Sequence, residues 1–504
     1  MSERSMPVCL CLTGSTLREN LAALDRYRGL VDMVELRADC LVPGEKFLLR
    51  SFPEKAGLPC VLTVRRRSDG GHFEEGEGVR LVMIAKALSY ARADASANFA
   101  YADLEDDFRV SAIEEACKTF GTRIIRSKHY VDGMPADLDV AWAPLAEDPD
   151  EIPKLAVTPK GSTDLASLIR WCRTLPERDR LVIGMGTYGY PTRLLASCMG
   201  SMFTFTSALG AGLPSAAPGQ IDPVTFASVY RGRETCGRSD LYALIGGSSI
   251  MESLSPSLHN GAFRKAGKDA VYIPFPSDAA AGFMDCLDLL GVHGAAVTVP
   301  FKEEVLPYLA SQSKDVMQIG ACNTLVRREE GWAGYNTDAD GFEKSLLEFL
   351  GRTDLAGLRV TLVGSGGAAK SVALCLSRRG ATCVILNRTM PTARALARKY
   401  GFAWGPLDDR SLDVVADHSD LIVQATSVGM AGGQAGDPLD WYEFSGREAV
   451  FDLIYRPART AFLERAAAAG CRVKNGYDML RYQASGQFRI WMGAEPPDEF
   501  FSQE

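Results

Sequence analysis

Histidine is scarce in this chain. There are five in 504 residues, and no two stand four apart, so the paired ligands of a helical zinc site are missing. The 13 cysteines are scattered without a CxxC pair or a secreted-framework spacing, which points to a reducing compartment. No apolar run reaches the roughly 20 residues that span a bilayer. Positive charge is also short: the formal net charge is −8 and no Lys/Arg run forms a patch, which excludes bulk binding to a phosphate backbone. An anionic substrate must therefore be met by cations placed one at a time. The first strand-like run begins at Pro7, leaving no room for a signal or transit peptide. These absences predict a cytoplasmic enzyme acting on small molecules, with neither nucleic-acid nor membrane partners.

What is present points to more than one domain. The length exceeds the range in which a single core keeps growing, and 46% hydrophobic with 23% charged residues is an ordinary globular balance. Through the first 210 residues, short β-rich apolar runs recur at Pro7–Thr13, Met33–Asp39, Pro59–Arg65, Phe99–Glu105, Arg123–His129, Lys154–Thr158, Leu181–Gly186 and Met202–Ala208. Helix-like stretches such as Gly78–Asp94 and Thr163–Leu175 separate them. Eight β–α units in this length predict a closed (β/α)8 barrel, with chemistry at the C-terminal ends of its strands. Glu35, Arg37, Arg65, Asp103, Glu105, His129 and Arg193 fall there, and Lys154 opens the sixth run. Three converging arginines suit a carboxylate and favour the neutral form of a nearby lysine. Such a lysine is a Schiff-base nucleophile for a ketone, with His129 as proton shuttle. Taken singly, His129 or Lys154 is more ordinarily a solvated or capping residue, and Arg37 an ion-pair member.

In order and spacing, Glu35-Leu36-Arg37, Thr63-Val64-Arg65 with Gly70-Gly71, Ser127-Lys128-His129, Lys154-Leu155-Ala156 and Ala217-Pro218-Gly219-Gln220 resemble type I 3-dehydroquinate dehydratase across residues 7–232. The resemblance implies that Lys154 forms an imine with the substrate ketone, and that His129 takes the C2 proton and returns it to the leaving C1 hydroxyl. It implies that Glu35, Arg37 and Arg65 hold substrate, that Arg193 takes the carboxylate, and that Gln220 lies on a closing loop. Asp69 stands where the family often has a glutamate that orients the histidine.

A polar stretch, Arg231–Asp240, reads as a short linker. A new β–α pattern follows: Leu241–Ile245, a Gly-Gly-Ser-Ser loop, and a helix over Pro256–Ala266. Ser253 and Ser255 precede that helix, where capping is their simplest role. Lys302 follows Val-Thr-Val-Pro-Phe at a strand end, and Asp338 in Asn336-Thr337-Asp338 is equally suited to a helix N-cap. Strand Arg359–Val363 leads into Gly364-Ser365-Gly366-Gly367-Ala368-Ala369 and a helix through Leu376. That order is what lifts a glycine motif to a dinucleotide loop, since the backbone can approach a pyrophosphate at a helix N-terminus. The next strand, Thr382–Leu386, ends in Asn387-Arg388-Thr389 rather than an acid, which favours NADP over NAD. Further strands are Asp420–Gln424, leading into Ala425–Met430, and Val450–Leu453, leading to Tyr455.

Ser253-Leu254-Ser255-Pro256, Val297–Lys302, Ala321-Cys322-Asn323-Thr324, Asn336-Thr337-Asp338, the glycine loop, Asn387-Arg388-Thr389, Ala425–Met430 and Gly476-Tyr477-Asp478-Met479-Leu480 with Gln483 together resemble shikimate dehydrogenase over residues 240–495. The resemblance implies that Lys302 protonates the developing C3 alkoxide while Asp338 orients it. It also implies that Ser253, Ser255, Thr298, Asn323, Tyr455 and Gln483 hold hydroxyls and the carboxylate. NADP(H) contacts fall to Gly364, Ser365, Gly366, Gly367, Ala368, Asn387, Arg388, Thr389, Thr426, Ser427, Met430 and Gly476. Glu252, Ala296 and Gln424 depart from the residues common in the family.

The implied division is a barrel over 1–232, a substrate domain over 240–345 plus about 476–504, and a Rossmann-like NADP domain over 350–475, with a cleft that closes on ligands. The implied function is two consecutive steps, 3-dehydroquinate to 3-dehydroshikimate and then NADPH-dependent reduction to shikimate. Two alternatives stand beside it. Arg388 opposes a catabolic NAD-linked quinate/shikimate dehydrogenase. Intact Lys154, His129, Lys302 and Asp338 oppose a metabolite sensor that has lost its chemistry.

Overall fold

The computed structural model describes residues 5–88, 94–235, 239–431 and 433–497. Residues 236–238 of the expected linker, 89–93 of the expected helix Gly78–Asp94 and the terminal 498–504 lie outside the described residues. Two compact units divide the chain: Met1–Met251 with Gly267–Val292, and Glu252–Ala266 with His293–Glu504.

The first unit contains all eight expected strands: β1 (Val8–Leu12), β2 (Met33–Arg37), β3 (Cys60–Thr63), β4 (Tyr101–Glu105), β5 (Arg123–Tyr130), β6 (Ile152–Val157), β7 (Leu181–Gly184) and β8 (Thr204–Ser207). Their hydrogen-bonded order is β7-β6-β5-β4-β3-β2-β1-β8, and every pairing is parallel. The two ends of this order are joined by a serine rather than a ladder. Ser201 Oγ accepts from the Val182 N–H at 2.9 Å and donates to the Val182 carbonyl at 3.1 Å, and the Met202 N–H donates to the Arg180 carbonyl at 2.9 Å.

Alternation along the strands explains why this barrel has an apolar floor and a polar mouth. Side chains repeat with period two, so each strand sends every second residue inward. Cys9, Met33, Val61, Ile125, Ile152, Leu181 and Phe205 form one interior cluster, with Tyr101 packed on it, so all eight strands contribute. Two residues further along, the inward positions become Glu35, Thr63, Asp103, Ser127 and Lys154; two beyond those come Arg37, Arg65, Glu105, His129 and Ala156. The predicted helix Thr163–Leu175 forms as Ser162–Cys172, and Gly78–Asp94 as Glu77–Leu88. β9 (Asp240–Gly246) and β10 (Ala270–Pro276) also pair in parallel. Just beyond β10, Asp278 Oδ1 accepts from the Ser162 N–H at 2.8 Å and its Oγ at 2.9 Å, capping the helix that follows β6.

In the second unit, β11 (Gly294–Val297), β13 (Thr324–Arg328) and β14 (Gly331–Tyr335) are antiparallel neighbours, and β12 (Leu309–Gln312) runs parallel to β14. A six-stranded parallel sheet follows: β15 (Arg359–Val363), β16 (Thr382–Asn387), β17 (Ala403–Pro406), β18 (Leu421–Gln424), β19 (Ala449–Asp452) and β20 (Arg472–Lys474). Its order β17-β16-β15-β18-β19-β20 reverses between β15 and β18, the switch point where such sheets bind ligands. Adjacent residues of β15, β16 and β18 separate onto two cores, Leu362, Ile385 and Val423 on one face and Val363, Leu386 and Ile422 on the other, as a sheet covered on both sides requires. Helices Asp338–Leu350 and Tyr477–Met492 pack together at a small residue, where a Cβ on Gly341 would lie 2.8 Å from the Gln483 nitrogen.

Candidate active sites

The barrel mouth encloses a cavity of about 300 Å³ whose wall includes Glu35, Arg37, Arg65, His129, Lys154, Arg193 and Gln220, whereas Asp103 and Glu105, also expected at the mouth, pair with Lys154 and Arg65 rather than line the cavity. Lys154 Nζ is 2.6 Å from Asp103 Oδ2 and lies over the Phe205 ring. Arg65 bridges Asp103 (2.7 Å) and Glu105 (2.7 Å), and Arg80 also bonds Glu105. Burial alone would raise the Asp103 carboxyl, but Arg65 and then Lys154 outweigh it and hold the group well below the usual carboxylate range. Arg37 makes a two-pronged pair with Asp39, at 2.9 and 2.8 Å. Glu35 accepts from Thr63 (2.8 Å) and from the Cys11 thiol (2.9 Å), whose sulfur accepts from Gln220 at 3.1 Å. The Gly70-Gly71 turn fits because a Cβ on Gly71 would meet the Arg65 carbonyl at 2.2 Å.

Two groups stand apart from these pairings. His129 Nδ1 is buried without a hydrogen-bond partner among the described residues. Burial, then the charges of Arg65 and Lys154, push His129 well below its ordinary value, which keeps the imidazole neutral at neutral pH. Asp69 is engaged by Arg66 (2.9 Å) and Ser68 (2.8 Å) rather than by His129. Arg193 is 3% exposed, donates to the Pro218 carbonyl at 3.3 Å, and has no carboxylate partner among the described residues. Its Nε has no hydrogen-bond partner among the described residues, and burial pushes the guanidinium down to about 10. Sequence alone put three arginines on a ligand carboxylate. The structure gives Arg37 and Arg65 carboxylates of their own, which leaves Arg193 as the arginine lacking one.

The second site is built around an ion pair. Lys302 Nζ lies 2.5 Å from Asp338 Oδ2, both largely buried. Asn323 Nδ2 donates to Asp338 Oδ1 at 2.7 Å and stands 3.4 Å from Gln483 Oε1. Asn336 Oδ1 accepts from the Asp338 N–H at 3.0 Å, fixing the first turn of that helix. The Lys302 stem packs over the glycine loop: a Cβ on Gly367 would be 3.3 Å from Lys302 Cδ. Ser253, Ser255, Thr298 and Tyr455 are not hydrogen-bonded to this cluster among the described residues. Ser253 Oγ instead accepts from the Ser255 N–H at 3.2 Å.

The glycine loop fits an anionic cofactor. Gly364 has φ 111°, and Gly366 starts helix Gly367–Arg378 with no side-chain cap, leaving the first N–H groups for an anion. A Cβ on Gly366 would meet nothing within 4 Å. Asn387 donates to Ser365 (2.8 Å) and Thr392 (2.9 Å), which ties the end of β16 to the loop, and Arg388 beside it is exposed. Gln424 donates to the Thr426 (3.3 Å) and Val428 (3.1 Å) carbonyls, bracing the stretch that carries Thr426, Ser427 and Met430. A Cβ on Gly476 would meet the Leu453 carbonyl at 1.9 Å. Thr389 is the N-cap of helix Met390–Tyr400, and Ala368 lies in the first turn of helix Gly367–Arg378.

Family models match each half. Residues 8–235 match type I 3-dehydroquinase, 245–325 the shikimate dehydrogenase substrate-binding domain, and 348–430 shikimate/quinate 5-dehydrogenase. Shikimate dehydrogenase (NADP(+)) of Moorella thermoacetica is 40% identical over 269 residues, 51% of this chain and 89% of that protein. The chain belongs to the shikimate dehydrogenase family. It is a fusion, with the type I 3-dehydroquinase domain ahead of the dehydrogenase. The Pyrococcus abyssi shikimate dehydrogenase (NADP(+)) is 38% identical over 260 residues, covering 51% of this chain and 94% of that one. The solved structure of dehydroquinate dehydratase and shikimate dehydrogenase from S. pombe AroM is 21% identical, with 99% of this chain and 97% of that one covered and a TM-score of 0.42. Asp103, Asp39 and Cys11, which buttress the barrel site, were not assigned roles from the sequence; the inward alternation of β4 was the available signal for Asp103.

Proposed function

We propose that this chain dehydrates 3-dehydroquinate in its barrel and reduces the resulting 3-dehydroshikimate to shikimate with NADPH in its second half. The convergence of Lys154, neutral His129 and Arg193 on one cavity carries the first step. Arg193 takes the substrate carboxylate, and Glu35, Arg37, Arg65 and Gln220 hold its hydroxyls. The Lys154 amine adds to the C3 ketone and water leaves, giving an imine that acidifies the C2 proton. His129 removes that proton, and returns it to the C1 hydroxyl as it departs. Water then hydrolyses the imine and frees Lys154. Reduction with sodium borohydride in the presence of 3-dehydroquinate should trap a stable adduct on Lys154, and absence of the adduct overturns the covalent step.

NADPH, when bound, supplies the hydride of the second step. Lys302 hydrogen-bonds the C3 oxygen and gives it a proton, while Asp338 and Asn323 orient Lys302 and the substrate hydroxyls. Ser253, Ser255, Thr298, Tyr455 and Gln483 complete the polyol site. Gly364–Ala368, Asn387–Thr389, Thr426, Ser427, Met430 and Gly476 form the cofactor wall. The division proposed for these roles is a barrel over 1–232, a substrate domain over 240–345 plus about 476–504, and a cofactor domain over 350–475.

Two outcomes test the ligand assignments. Arg193→Met should raise the KM for 3-dehydroquinate about 10- to 100-fold, the size of a lost charge-assisted contact of roughly 1.5–3 kcal/mol. An unchanged KM removes Arg193 from carboxylate binding. Arg388→Ala should raise the KM for NADPH about tenfold and leave NADH kinetics alone, since only NADPH carries a 2′-phosphate. A wild-type kcat/KM higher for NADH would reverse the cofactor assignment. Among the described residues no helix is long and apolar enough to cross a membrane. All described cysteines are free, which supports a reducing, cytoplasmic setting for these small-molecule substrates.

A further inference from the structure

Behind Asn323 runs a line of buried polar side chains that the catalytic pair does not itself require. His259 lies on helix Ser255–Lys265 and Gln487 on helix Tyr477–Met492. His259, Gln487, Thr324 and Asn323 are each at most 2% exposed. Gln487 Nε2 donates to the Asn323 backbone carbonyl and to Thr324 Oγ1, both at 3.2 Å. Its Oε1 faces His259 Nε2 at 3.1 Å. Thr324 Oγ1 donates to Asn323 Oδ1 at 2.7 Å, and the Thr337 N–H donates to the same oxygen at 2.9 Å. Asn323 Nδ2 is thereby left to donate to Asp338 Oδ1 at 2.7 Å, and Asp338 Oδ2 to hold Lys302 at 2.5 Å.

The polarity of every link is forced by groups that have no choice. A backbone carbonyl only accepts, so Gln487 must turn its NH2 toward Asn323 and its oxygen toward His259. That oxygen requires a proton on His259 Nε2, which a neutral imidazole supplies. Burial pushes His259 down to about 3, consistent with the neutral form. With the Gln487 NH2 donating to the Thr324 oxygen, the Thr324 hydroxyl hydrogen is available for Asn323 Oδ1. A backbone N–H only donates, so the Thr337 N–H sets the same direction. A reversed Asn323 would place its oxygen against the Asp338 carboxylate, an unpaired and repulsive contact in a dry site.

We infer that His259, Gln487 and Thr324 are positioning residues of the dehydrogenase: they form a one-way hydrogen-bond relay that fixes the Asn323 amide, and through it the Asp338–Lys302 pair. The inference rests on the assignment of Lys302, Asp338 and Asn323 to the reduction step. Among the described residues none of the three is hydrogen-bonded to Lys302; each acts by holding the next.

The test uses the full-length chain, with Thr324→Val and Gln487→Met removing links at nearly constant volume and Thr324→Ser keeping the hydroxyl. Lys302→Ala is run alongside. Binding of NADPH, followed by fluorescence, reports that the second unit is folded, and dehydration of 3-dehydroquinate reports the first. Thr324→Val and Gln487→Met should lower kcat for 3-dehydroshikimate reduction about five- to tenfold, with the KM for NADPH unchanged. Thr324→Ser should stay within about twofold of wild type. Wild-type kcat in both the Val and Met variants overturns the relay, as does a serine variant as slow as the valine one, which would mean packing. If Thr324→Val fails to bind NADPH, Gln487→Met decides on the same terms. A Lys302→Ala protein that still reduces substrate would instead refute the assignment of the site itself.

Discussion

Lys154→Ala loses dehydration of 3-dehydroquinate by on the order of 10³-fold or more in kcat, while reduction of 3-dehydroshikimate continues at the wild-type rate. The size follows from the role proposed for the side chain. Without its amine no imine forms, and the C2 proton loses the electron sink that makes it removable. His129 stays neutral and in place, yet it has a far weaker acid to deprotonate. Lys154→Arg should be nearly as inactive, because a guanidinium keeps the charge beside Asp103 but does not form the imine. Separate stopped assays of enone absorbance and NADPH consumption distinguish this from misfolding. Residual dehydration within tenfold of wild type would place the nucleophile elsewhere.

Lys302→Ala produces the mirror image: reduction falls by about 10²- to 10⁴-fold in kcat, the usual range for a lost general acid, and dehydration is untouched. Two effects contribute. The alkoxide loses its proton donor, and Asp338 is left 5% exposed without the ammonium that neutralises it. The alanine also removes the stem packed over Gly367, so part of the loss should appear as a higher KM for NADPH. Titrating NADPH against the variant separates the two, because packing changes affinity whereas proton donation changes kcat. An unaltered kcat would assign proton delivery to another group.

Much of the scaffold could be read from local pattern. Arg359–Val363 was bounded to the residue because a β-branched run closed by Arg359 and Gly364 admits one strand. The expected barrel strands occur in order, but Met33–Asp39 and Pro59–Arg65 reach two residues past the C-terminal ends of β2 and β3. There the residues that line the mouth interrupt the ladder. Lys154 was set at the start of its strand, whereas β6 begins at Ile152, since Pro153 hid the first turn inward. Pair identities were out of reach. Alternation says that Asp103 and Lys154 both face inward, not that they meet at 2.6 Å across 51 residues. The same limit hid the Ser201 seam, the Asp278 cap on Ser162, and Gln487 behind Asn323, each of which joins residues that only the finished fold brings together.

The central claim is that two chemistries occupy two separable sites on one chain, and a mixing experiment measures it most directly. Wild-type protein given 3-dehydroquinate and NADPH should consume NADPH. Lys154→Ala should consume none, and Lys302→Ala should accumulate enone while NADPH persists. Combining the two inactive proteins should restore NADPH consumption, because the dehydrated product of one is the substrate of the other. NADPH consumption by Lys154→Ala alone on 3-dehydroquinate, or none from the mixture, would contradict the account.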